Sequence, residues 1–296
     1  MLRDGDTLRG FYNVCLHRAG PVASDCGKRN TLQCRYHGWT YSLDGTLRHA
    51  PEMQGVERFD PAEMHLVPVR VEAWGPLVFA TLDGKAPPLL DVLGDVPSRV
   101  APFRCETMRY VTRKSWDIAC NWKVYVDNYL EGYHLPVVHP GLHKELDYDN
   151  YTVEPHRYHS IQHAPLRPVH GANAAERKYD PASSEVAEAV YVWLFPNVML
   201  NVYLGQMQTN VVLPLGHDRC RVVFEWYASA PPLDAAADPA WTKLLAFSDE
   251  IQDEDVRICE TVQQNLRSRV YDRGRYSAAR EVGVHHFHSL LHEFLT

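Results

Sequence analysis

Four side chains that commonly bind metals lie in two short pairs near the beginning of the sequence. Cys15 and His17 form a Cys-x-His pair, and Cys34 and His37 form a Cys-x-x-His pair after the intervening residues 18–33. Thiolates and imidazoles in equal number suit a zinc ion, or a two-iron, two-sulfur centre in which one iron binds the cysteines and the other binds the histidines. The pattern predicts that two loop tips hold one metal centre.

The order of the ligands favours the second alternative. Structural zinc sites with these ligands usually pair Cys with Cys and His with His along the chain, whereas here each loop supplies one of each. This arrangement resembles the Rieske iron-sulfur domain, and so do the flanking segments FYN, YHGW and YSLDG. The resemblance implies a [2Fe-2S] cluster bound by Cys15, His17, Cys34 and His37, with a reduction potential above that of an all-cysteine ferredoxin.

A second group of candidate ligands follows in the segment VDNYLEGYHLPVVHP. A helix predicted over residues 121–134 places Asp127, Glu131 and His134 within about 60° of one another on one face. Charges at this spacing are also typical of a solvated helix face. Because His139 follows across Pro136, however, a second imidazole can reach the same point. Two imidazoles and a carboxylate form the facial triad of a mononuclear non-haem iron.

Periodicity selects the carboxylate from the acid-rich segment SDEIQDEDVRICETVQQNL. Asp255 falls on the apolar stripe predicted to be buried, which consists of Ile251, Ile258, Cys259, Val262 and Leu266. A carboxylate on a buried stripe is costly unless it is paired or binds a metal. We therefore predict Asp255 as the third iron ligand, with Asp253 as the fallback.

Composition excludes several classes of protein. The 30 basic and 37 acidic residues give a net charge of −7. The chain therefore lacks the dominant excess of basic residues that is typical of proteins that bind nucleic acids or anionic lipids. No segment has the apolar length of a signal peptide or a membrane span, and seven cysteines without an export signal indicate reduced thiols. We expect a soluble, cytoplasmic protein without nucleic-acid or membrane partners.

The pattern of elements predicts an α+β protein with two domains. Short alternating strands and turn signals indicate a small all-β domain over residues 1–84, and a proline-rich segment, 85–105, is predicted to be a linker. Residues 106–296 form the second domain. Its predicted strands are 106–117, 190–195, 198–203, 208–213 and 221–229, and its predicted later helices are 241–271 and 284–294. The stretch 139–185 is poorly periodic and is expected to include a mobile loop.

Nearly the whole chain resembles the catalytic (large, alpha) subunit of the Rieske non-haem iron oxygenases, also called ring-hydroxylating oxygenases. In amino-acid sequence it is most similar to the branch that contains choline monooxygenase and glycine betaine oxygenase, through segments such as VDNYLEGYHLPVVHPGL and WLFPNVMLNVY. The resemblance implies a Rieske domain followed by a helix-grip (START-like) catalytic domain with an antiparallel sheet and long C-terminal helices. It also implies further strands and a helix before Cys15, so we expect the β domain to be truncated at its N-terminus.

Residue by residue, the resemblance makes His134, His139 and Asp255 the ligands of a mononuclear Fe(II). Glu131 falls where the family keeps an acid that connects His37 of one subunit to His134 of the next, and a homotrimer is therefore expected. We predict Asp127 as a second candidate catalytic residue on the same helix.

The implied reaction uses O2 and electrons from NAD(P)H to hydroxylate or oxidatively demethylate a small organic substrate. The sequence has no nicotinamide or flavin fingerprint, so a separate flavin/iron-sulfur reductase or ferredoxin must supply the electrons. The substrate is left open between a quaternary amine and an aromatic compound. Tyr191, Trp193 and Phe195 alternate onto one strand face, where they could cage a cation or simply pack in the core.

Two other classes of protein remain as alternatives from the sequence. One is a Rieske electron-transfer protein whose second domain is not catalytic. The other is a ligand carrier with zinc at the first site. The number of irons in each chain separates these classes, because only an oxygenase holds both a two-iron cluster and a single iron.

Overall fold

Short strands joined by tight turns form the first part of the chain. The computed structural model describes residues 1–167 and 188–296, and the chain divides into two units, Met1–Leu89 and Leu90–Thr296. The strands of the first unit are β1 (Leu2–Asp4), β2 (Thr7–Phe11), β3 (Leu32–Gln33), β4 (Thr40–Tyr41), β5 (Leu47–His49), β6 (Pro68–Trp74) and β7 (Leu77–Thr81). They form an antiparallel sheet in the order β1-β2-β6-β7 and a smaller sheet in the order β3-β4-β5.

The core of the first unit lies around the small sheet. Its fully buried members include Tyr41 and Leu66, and Trp39 is also buried. The turn that leads into β5 needs a glycine, because Gly45 has a φ of +92° and an added Cβ would lie 2.7 Å from the Phe11 ring. This turn fixes β4 and β5 beside the loop that carries Cys34.

The segment expected to be a linker contains regular structure. Helices α1 (Leu89–Leu93) and α2 (Val96–Arg99) lie in it, followed by short 3-10 turns. Leu93, Val96 and Phe103 are buried. The division between the two units, after Leu89, falls inside this segment.

A seven-stranded antiparallel sheet is the framework of the second unit in its described residues. Its strands lie in the order β8-β14-β13-β12-β11-β10-β9. Their bounds are β8 (Arg109–Ile118), β9 (Thr152–Pro155), β10 (His159–Pro165), β11 (Glu188–Leu194), β12 (Val198–Tyr203), β13 (Gln206–Pro214) and β14 (Cys220–Ala228). Five of them correspond to the strands predicted from β-branched and aromatic runs. The other two, β9 and β10, lie in the poorly periodic stretch 139–185, where no strand was predicted.

Helices pack against this sheet around one large apolar core. They are α3 (Trp122–Tyr129), the short α4 (Leu135–Val138) and α5 (Pro140–Glu145), and the longer α6 (Pro239–Asn265) and α7 (Val282–Leu295). The core joins α3, α6 and α7 to the sheet, with Trp193 and Phe287 fully buried in it. The predicted α+β class is confirmed, with its antiparallel sheet and long C-terminal helices.

Two helix predictions need correction. The helix expected over 121–134 ends at Tyr129, because the Glu131 carboxylate, and not helix carbonyl groups, accepts hydrogen bonds from the backbone N–H groups of Tyr133 and His134. The buried stripe predicted on the later helix is also too long, since Val262 and Leu266 are each 40% exposed. Gln263 already accepts a hydrogen bond from the backbone of Asn121, the N-cap of α3, so α6 has passed the end of its packing partner there.

Part of the unassigned stretch 139–185 lies outside the described residues. These are positions 168–185, where a mobile loop was expected. Within the described residues, no helix has the length and apolarity needed to cross a membrane.

Candidate active site

Three side chains from separate parts of the second unit converge on one point. His134 precedes α4, His139 lies between α4 and α5, and Asp255 lies in α6. Asp255 Oδ1 is 3.0 Å from His139 Nε2 and 3.9 Å from His134 Nε2. One ligand atom from each residue lies within 4.8 Å of the other two. The structure thus brings together the three residues predicted as iron ligands.

Each of these residues has a further hydrogen-bond partner outside the group of three. His134 Nδ1 is 2.7 Å from Glu131 Oε1, and His139 Nδ1 is 2.7 Å from Glu254 Oε2. Asn128 donates from Nδ2 to Asp255 Oδ1 at 2.5 Å. Because both Nδ1 atoms face carboxylates, both Nε2 atoms are left for the shared centre. Two imidazoles, each held at Nδ1 by a carboxylate, together with the Asp255 carboxylate fit a mononuclear non-haem iron.

Glu131 holds the turn as well as the imidazole. Its carboxylate also accepts hydrogen bonds from the backbone N–H groups of Tyr133 and His134. These bonds occupy donors at the point where α3 has ended, and they orient the chain into α4. Glu131 therefore reaches His134 from a turn, although the prediction placed both residues on one continuous helix.

His139 carries a raised pKa. Burial opposes its protonation, but hydrogen bonds and charge interactions with Asp255 and Glu254 outweigh that effect. The His139 side chain is 2% exposed, so these two carboxylates dominate its electrostatic environment. Sequence reasoning missed Glu254, although its position directly before Asp255 was a usable signal.

Asp127 lies apart from this group. Its Oδ1 is 2.9 Å from His288 Nε2 on α7, and it is not among the described residues that line the cavity beside His134. Asp253, the fallback ligand, is exposed and is also absent from the described cavity lining. Among the acids considered, the structure therefore brings Glu131 and Asp255 to the site and leaves the other two outside it.

A cavity opens beside the three converging residues. One part of its wall consists of the tyrosines Tyr129, Tyr151, Tyr191 and Tyr203. The Tyr191 ring centroid lies 6.5 Å from those of Tyr129 and Tyr151 and 6.0 Å from that of Tyr203. Burial raises the pKa of Tyr129 and of Tyr151, so both hydroxyls stay neutral. The cavity thus offers aromatic ring surface next to the candidate metal site.

The aromatic residues proposed from strand alternation divide between two environments. Tyr191 lines the cavity, as a cage would require. Trp193 packs instead on Phe287 of α7, and Phe195 packs on Phe294. The other three tyrosines of the wall come from α3, from the segment before β9 and from β12. Sequence alternation within β11 could not identify them.

In the first unit, two similar loops bring the other four predicted ligands together. Cys15 N donates to Gly20 O at 2.8 Å, and Cys34 N donates to Trp39 O at 2.9 Å, so each loop closes over the same number of residues. Both cysteines are 2% exposed. The His17 and His37 ring centroids are 4.5 Å apart. The loops therefore present buried thiols and a neighbouring pair of exposed imidazoles.

The loops pack closely around these thiols. An added Cβ on Gly20 would lie 2.8 Å from Cys34 Sγ, so only glycine allows the first loop to approach the second this closely. The Tyr41 hydroxyl lies 3.4 Å from Cys15 Sγ and accepts a hydrogen bond from Leu16 N. Burial, reinforced by Cys15, raises the pKa of Tyr41.

The spacing of the four ligands suits a cluster better than one ion. At bond lengths of about 2.0 to 2.3 Å, a single zinc would place its ligand atoms within about 4 Å of one another. Within the described residues, no three of Cys15, His17, Cys34 and His37 meet even a limit of 4.8 Å. The wider spacing fits a group with two irons and two bridging sulfurs.

One more set of potential ligands exists in the part of the chain that the structure describes. Asp95, His156 and His159 each offer an atom within 4.8 Å of the others. The two imidazole rings, however, are stacked with their centroids 4.5 Å apart and an interplanar angle of 7°. Their lone pairs therefore lie in two parallel planes, and one ion cannot lie in both. The His159 Nε2 to Asp95 Oδ1 distance of 2.9 Å indicates a structural hydrogen bond.

Comparison with known proteins gives two family matches. Residues 105–296 match the catalytic domain of the ring hydroxylating alpha subunit, and residues 1–60 match the Rieske [2Fe-2S] domain. The chain is 39% identical to the chloroplastic choline monooxygenase of Arabidopsis thaliana, over 97% of this chain and 69% of that protein. It is 33% identical to the carnitine monooxygenase oxygenase subunit of Escherichia coli K12, over 96% of this chain and 77% of that protein.

The fold agrees with solved structures. A quaternary ammonium Rieske monooxygenase studied for carnitine oxidation superposes with a TM-score of 0.82 at 27% identity, covering 97% of this chain and 79% of that one. Naphthalene 1,2-dioxygenase from Rhodococcus shares the fold at 18% identity, with a TM-score of 0.72 and coverage of 97% of this chain and 80% of that one. The chain spans 65% of the choline monooxygenase of Beta vulgaris, about two thirds of its length. On the family matches and these identities, the chain belongs to the Rieske-type ring-hydroxylating oxygenase alpha-subunit family.

Proposed function

We propose that this chain is the oxygenase component of a system that uses O2 and electrons from NAD(P)H to oxidise a quaternary ammonium compound. The observation that carries the proposal is the convergence of His134, His139 and Asp255 beside a tyrosine-walled cavity. A metal site open to a cavity is the arrangement that an oxygenase needs, because O2 and substrate must both reach the metal.

In this proposal, His134 Nε2, His139 Nε2 and an Asp255 oxygen hold Fe(II). Cys15, His17, Cys34 and His37 hold the [2Fe-2S] cluster. When bound, the cluster supplies one-electron transfer and the Fe(II) supplies O2 activation. Glu131 and Glu254 accept hydrogen bonds from the Nδ1–H groups of the two iron histidines. These bonds hold each ring with its Nε2 atom toward the metal.

Glu131 has the further role of connecting neighbouring subunits. Its carboxylate can accept a hydrogen bond from His134 on one side and one from His37 of an adjacent subunit on the other. A homotrimer, which would bring each first unit against the next second unit, is the assembly that we propose. A separate flavin/iron-sulfur reductase, with or without a ferredoxin, delivers the electrons. A cytoplasmic location stays a prediction, because named relatives include chloroplastic proteins.

A quaternary ammonium group is favoured over a neutral aromatic ring as the substrate moiety. A cation is attracted to the faces of aromatic rings, and four tyrosine rings surround this part of the cavity. The hydroxyls of two of these tyrosines are held by other side chains: the Tyr129 hydroxyl donates to Asn201 Oδ1 at 2.8 Å, and the Tyr151 hydroxyl donates to Gln162 Oε1 at 2.8 Å. The named relatives that act on choline and carnitine support the same class.

Turnover of the reconstituted system tests this function. Iron-loaded protein, a Rieske-oxygenase reductase, NADH and O2 are combined with choline, carnitine or an aromatic acid, and NADH consumption and product are measured together. We expect NADH consumption to depend on a quaternary ammonium compound and to match product formation.

Asp255→Ala is the matched control for this experiment. It should keep the cluster and its reduction by the reductase while losing product formation. If a wild-type protein with both metals consumed no NADH in response to any quaternary ammonium compound, the proposed function would be wrong. Reduction of the cluster without any product would instead support the electron-transfer alternative.

A further inference from the structure

Helix α6 carries a polar stripe along the wall of the cavity. Ser248, Gln252 and Asp255 all line the cavity, and their spacing of four and three residues places them on one face of the helix. At 1.5 Å per residue, Ser248 lies about 10 Å along the helix axis from the candidate iron ligand Asp255, with Gln252 between them. A substrate in the cavity can therefore contact this stripe beside the metal.

Gln252 has an unused polar atom. Its side chain is almost fully buried, with 1% of the residue exposed, and its Oε1 accepts a 2.5 Å hydrogen bond from the Tyr125 hydroxyl. Its Nε2 has no partner among the described residues. A buried donor without a partner destabilises the protein, so such a group indicates a ligand or water that is needed to satisfy it. With the opposite amide orientation the unused atom would be an acceptor, which a hydroxyl can also satisfy.

The neighbouring polar wall is electrically neutral. Gln208 Nε2 donates to Asn210 Oδ1 at 2.7 Å, and Ser248 Oγ donates to Gln208 Oε1 at 3.2 Å. All three residues line the cavity and are buried. This wall can form hydrogen bonds with a substrate but offers it no charge.

The described cavity lining also contains no lysine or arginine. The residues of this lining that can carry a charge are Glu131, Asp255 and the two histidines beside them. A substrate carboxylate bound against this wall, away from the iron that Asp255 would hold, would therefore have only hydrogen bonds from neutral groups. Burial of a charge is unfavourable without an opposite charge, whereas a hydroxyl needs only the hydrogen bonds that this wall can supply.

We propose that the Gln252 amide hydrogen-bonds to a hydroxyl group of the substrate, and that the neutral wall makes the site selective for quaternary ammonium alcohols over quaternary ammonium carboxylates. The inference rests on the proposed function, because it assumes that the tyrosines hold the cationic group. It adds a hydroxyl group at the other end of the substrate and names Gln252 as the residue that recognises it.

Binding of matched ligands to the iron-loaded protein, kept anaerobic and without reductase, tests this inference. Calorimetry compares choline with ethyltrimethylammonium, which lacks only the hydroxyl, and with carnitine and γ-butyrobetaine, which carry a carboxylate. For the wild type we expect choline to bind at least about tenfold more tightly than each of the other three, the size of effect that one satisfied buried hydrogen bond can give.

Gln252→Leu isolates the contribution of the amide. We expect the variant to lose roughly tenfold in affinity for choline and to change by less than about twofold toward ethyltrimethylammonium. Retained binding of the deoxy ligand shows that the variant is folded. Gln264→Leu, at an exposed position on the same helix, is the matched control and should bind all four ligands like the wild type.

The outcomes separate this inference from the proposed function. If choline and ethyltrimethylammonium bind equally well, or if Gln252→Leu weakens both to the same extent, Gln252 does not read a hydroxyl and the inference is overturned. Carnitine binding as tight as that of choline overturns the selectivity of the neutral wall. Absence of binding by every quaternary ammonium ligand to the wild type contradicts the proposed function itself. The comparison of ligands on the wild type needs no variant to fold.

Discussion

The two candidate iron histidines are each held by a carboxylate on the side away from the metal position. Glu131 faces His134 Nδ1, and Glu254 faces His139 Nδ1, both at 2.7 Å. A carboxylate in this position fixes the tautomer and the ring orientation and makes the imidazole a stronger ligand. The same interaction therefore sets metal affinity at His139. At His134, in the proposed trimer, the same carboxylate would also connect His134 to His37 of an adjacent subunit.

Glu254→Ala should weaken Fe(II) binding by about 10- to 100-fold, because His139 would lose the acceptor that holds its ring in place. Competition with a metallochromic chelator measures the affinity of the iron-depleted protein. Asp253→Ala removes an exposed acid from the adjacent position and should leave the affinity near that of the wild type. Equal affinities for Glu254→Ala and the wild type would show that Glu254 does not support the ligand.

Glu131→Gln should keep both metal centres yet lose most turnover. The amide keeps the size of the side chain but is a poorer acceptor, and it cannot accept from two imidazole N–H groups as a carboxylate can. Metal content, cluster reduction and substrate-dependent product formation are measured on the same preparation. A metal-replete Glu131→Gln protein with normal substrate-coupled rates would refute the role of Glu131 as a connection between the centres.

At the level of single residues, residue chemistry and periodicity predicted which three side chains converge but did not predict most of the residues around them. His134, His139 and Asp255 could be predicted because a triad of this composition is rare and Asp255 interrupts an apolar stripe. Asp127 satisfied the same spacing as Glu131 but faces His288, since the helix ends before the turn that carries Glu131. Gln252 could not be recognised, because a glutamine beside an iron ligand has no signature until a structure shows that its amide lacks a partner.

Helices α3 and α7 are joined by the pair of Asp127 and His288. Burial raises the pKa of Asp127 despite its hydrogen bond to His288, and the hydrogen bond to Asp127 raises the pKa of His288. The Tyr276 hydroxyl lies 2.5 Å from His288 Nδ1 on the other side of the ring. The two helices are thus held together by a contact that depends on the protonation of both partners.

His288→Gln should therefore cost more stability at pH 6 than at pH 9. A histidine whose folded-state pKa is raised stabilises the fold fully below its unfolded pKa, about 6.5, and loses that contribution as the pH rises through its folded pKa. Because the side chains of His288 and Asp127 are both about one third exposed or more, we expect a difference of about 1 kcal/mol or less between the two pH values.

Urea unfolding followed by tryptophan fluorescence measures this difference for the wild type and the variant. His285→Gln, at an exposed position of the same helix, should show no such dependence on pH. An equal loss of stability for His288→Gln at pH 6 and pH 9 would show that the charge on His288 does not stabilise this contact.

At the scale of elements, the sequence predicted strands with apolar character and missed those with buried polar residues. Runs such as β11 and β14 are rich in valine and aromatic residues. In β10, by contrast, His159, Ser160 and Gln162 are all buried, so its sequence shows no alternation of polar and apolar residues. The Gln162 amide donates to the backbone O of Tyr129 and accepts from the Tyr151 hydroxyl. The fold supplies these partners, so the sequence pattern does not show that Gln162 can be buried.

For the whole molecule, the order of the two units followed from the sequence because each contains its own metal-binding pattern and its own type of secondary structure. The division after Leu89 was less predictable. Prolines suggested a linker over 85–105, but several residues of that segment are buried in the second unit, including Leu93 and Val100. Proline marks breaks in helices and strands, and it does not show whether the chain between them is packed.

We expect one chain to hold two different iron centres, one in each unit. Iron analysis with visible and electron paramagnetic resonance spectra tests it on anaerobically purified, iron-reconstituted wild type, Asp255→Ala and Cys34→Ser. The ligand sets predict about three irons per wild-type chain, about two for Asp255→Ala with the cluster spectrum retained, and about one for Cys34→Ser without it. A wild-type protein that stays colourless, binds no more than one iron per chain and gives no paramagnetic signal on chemical reduction would contradict the account.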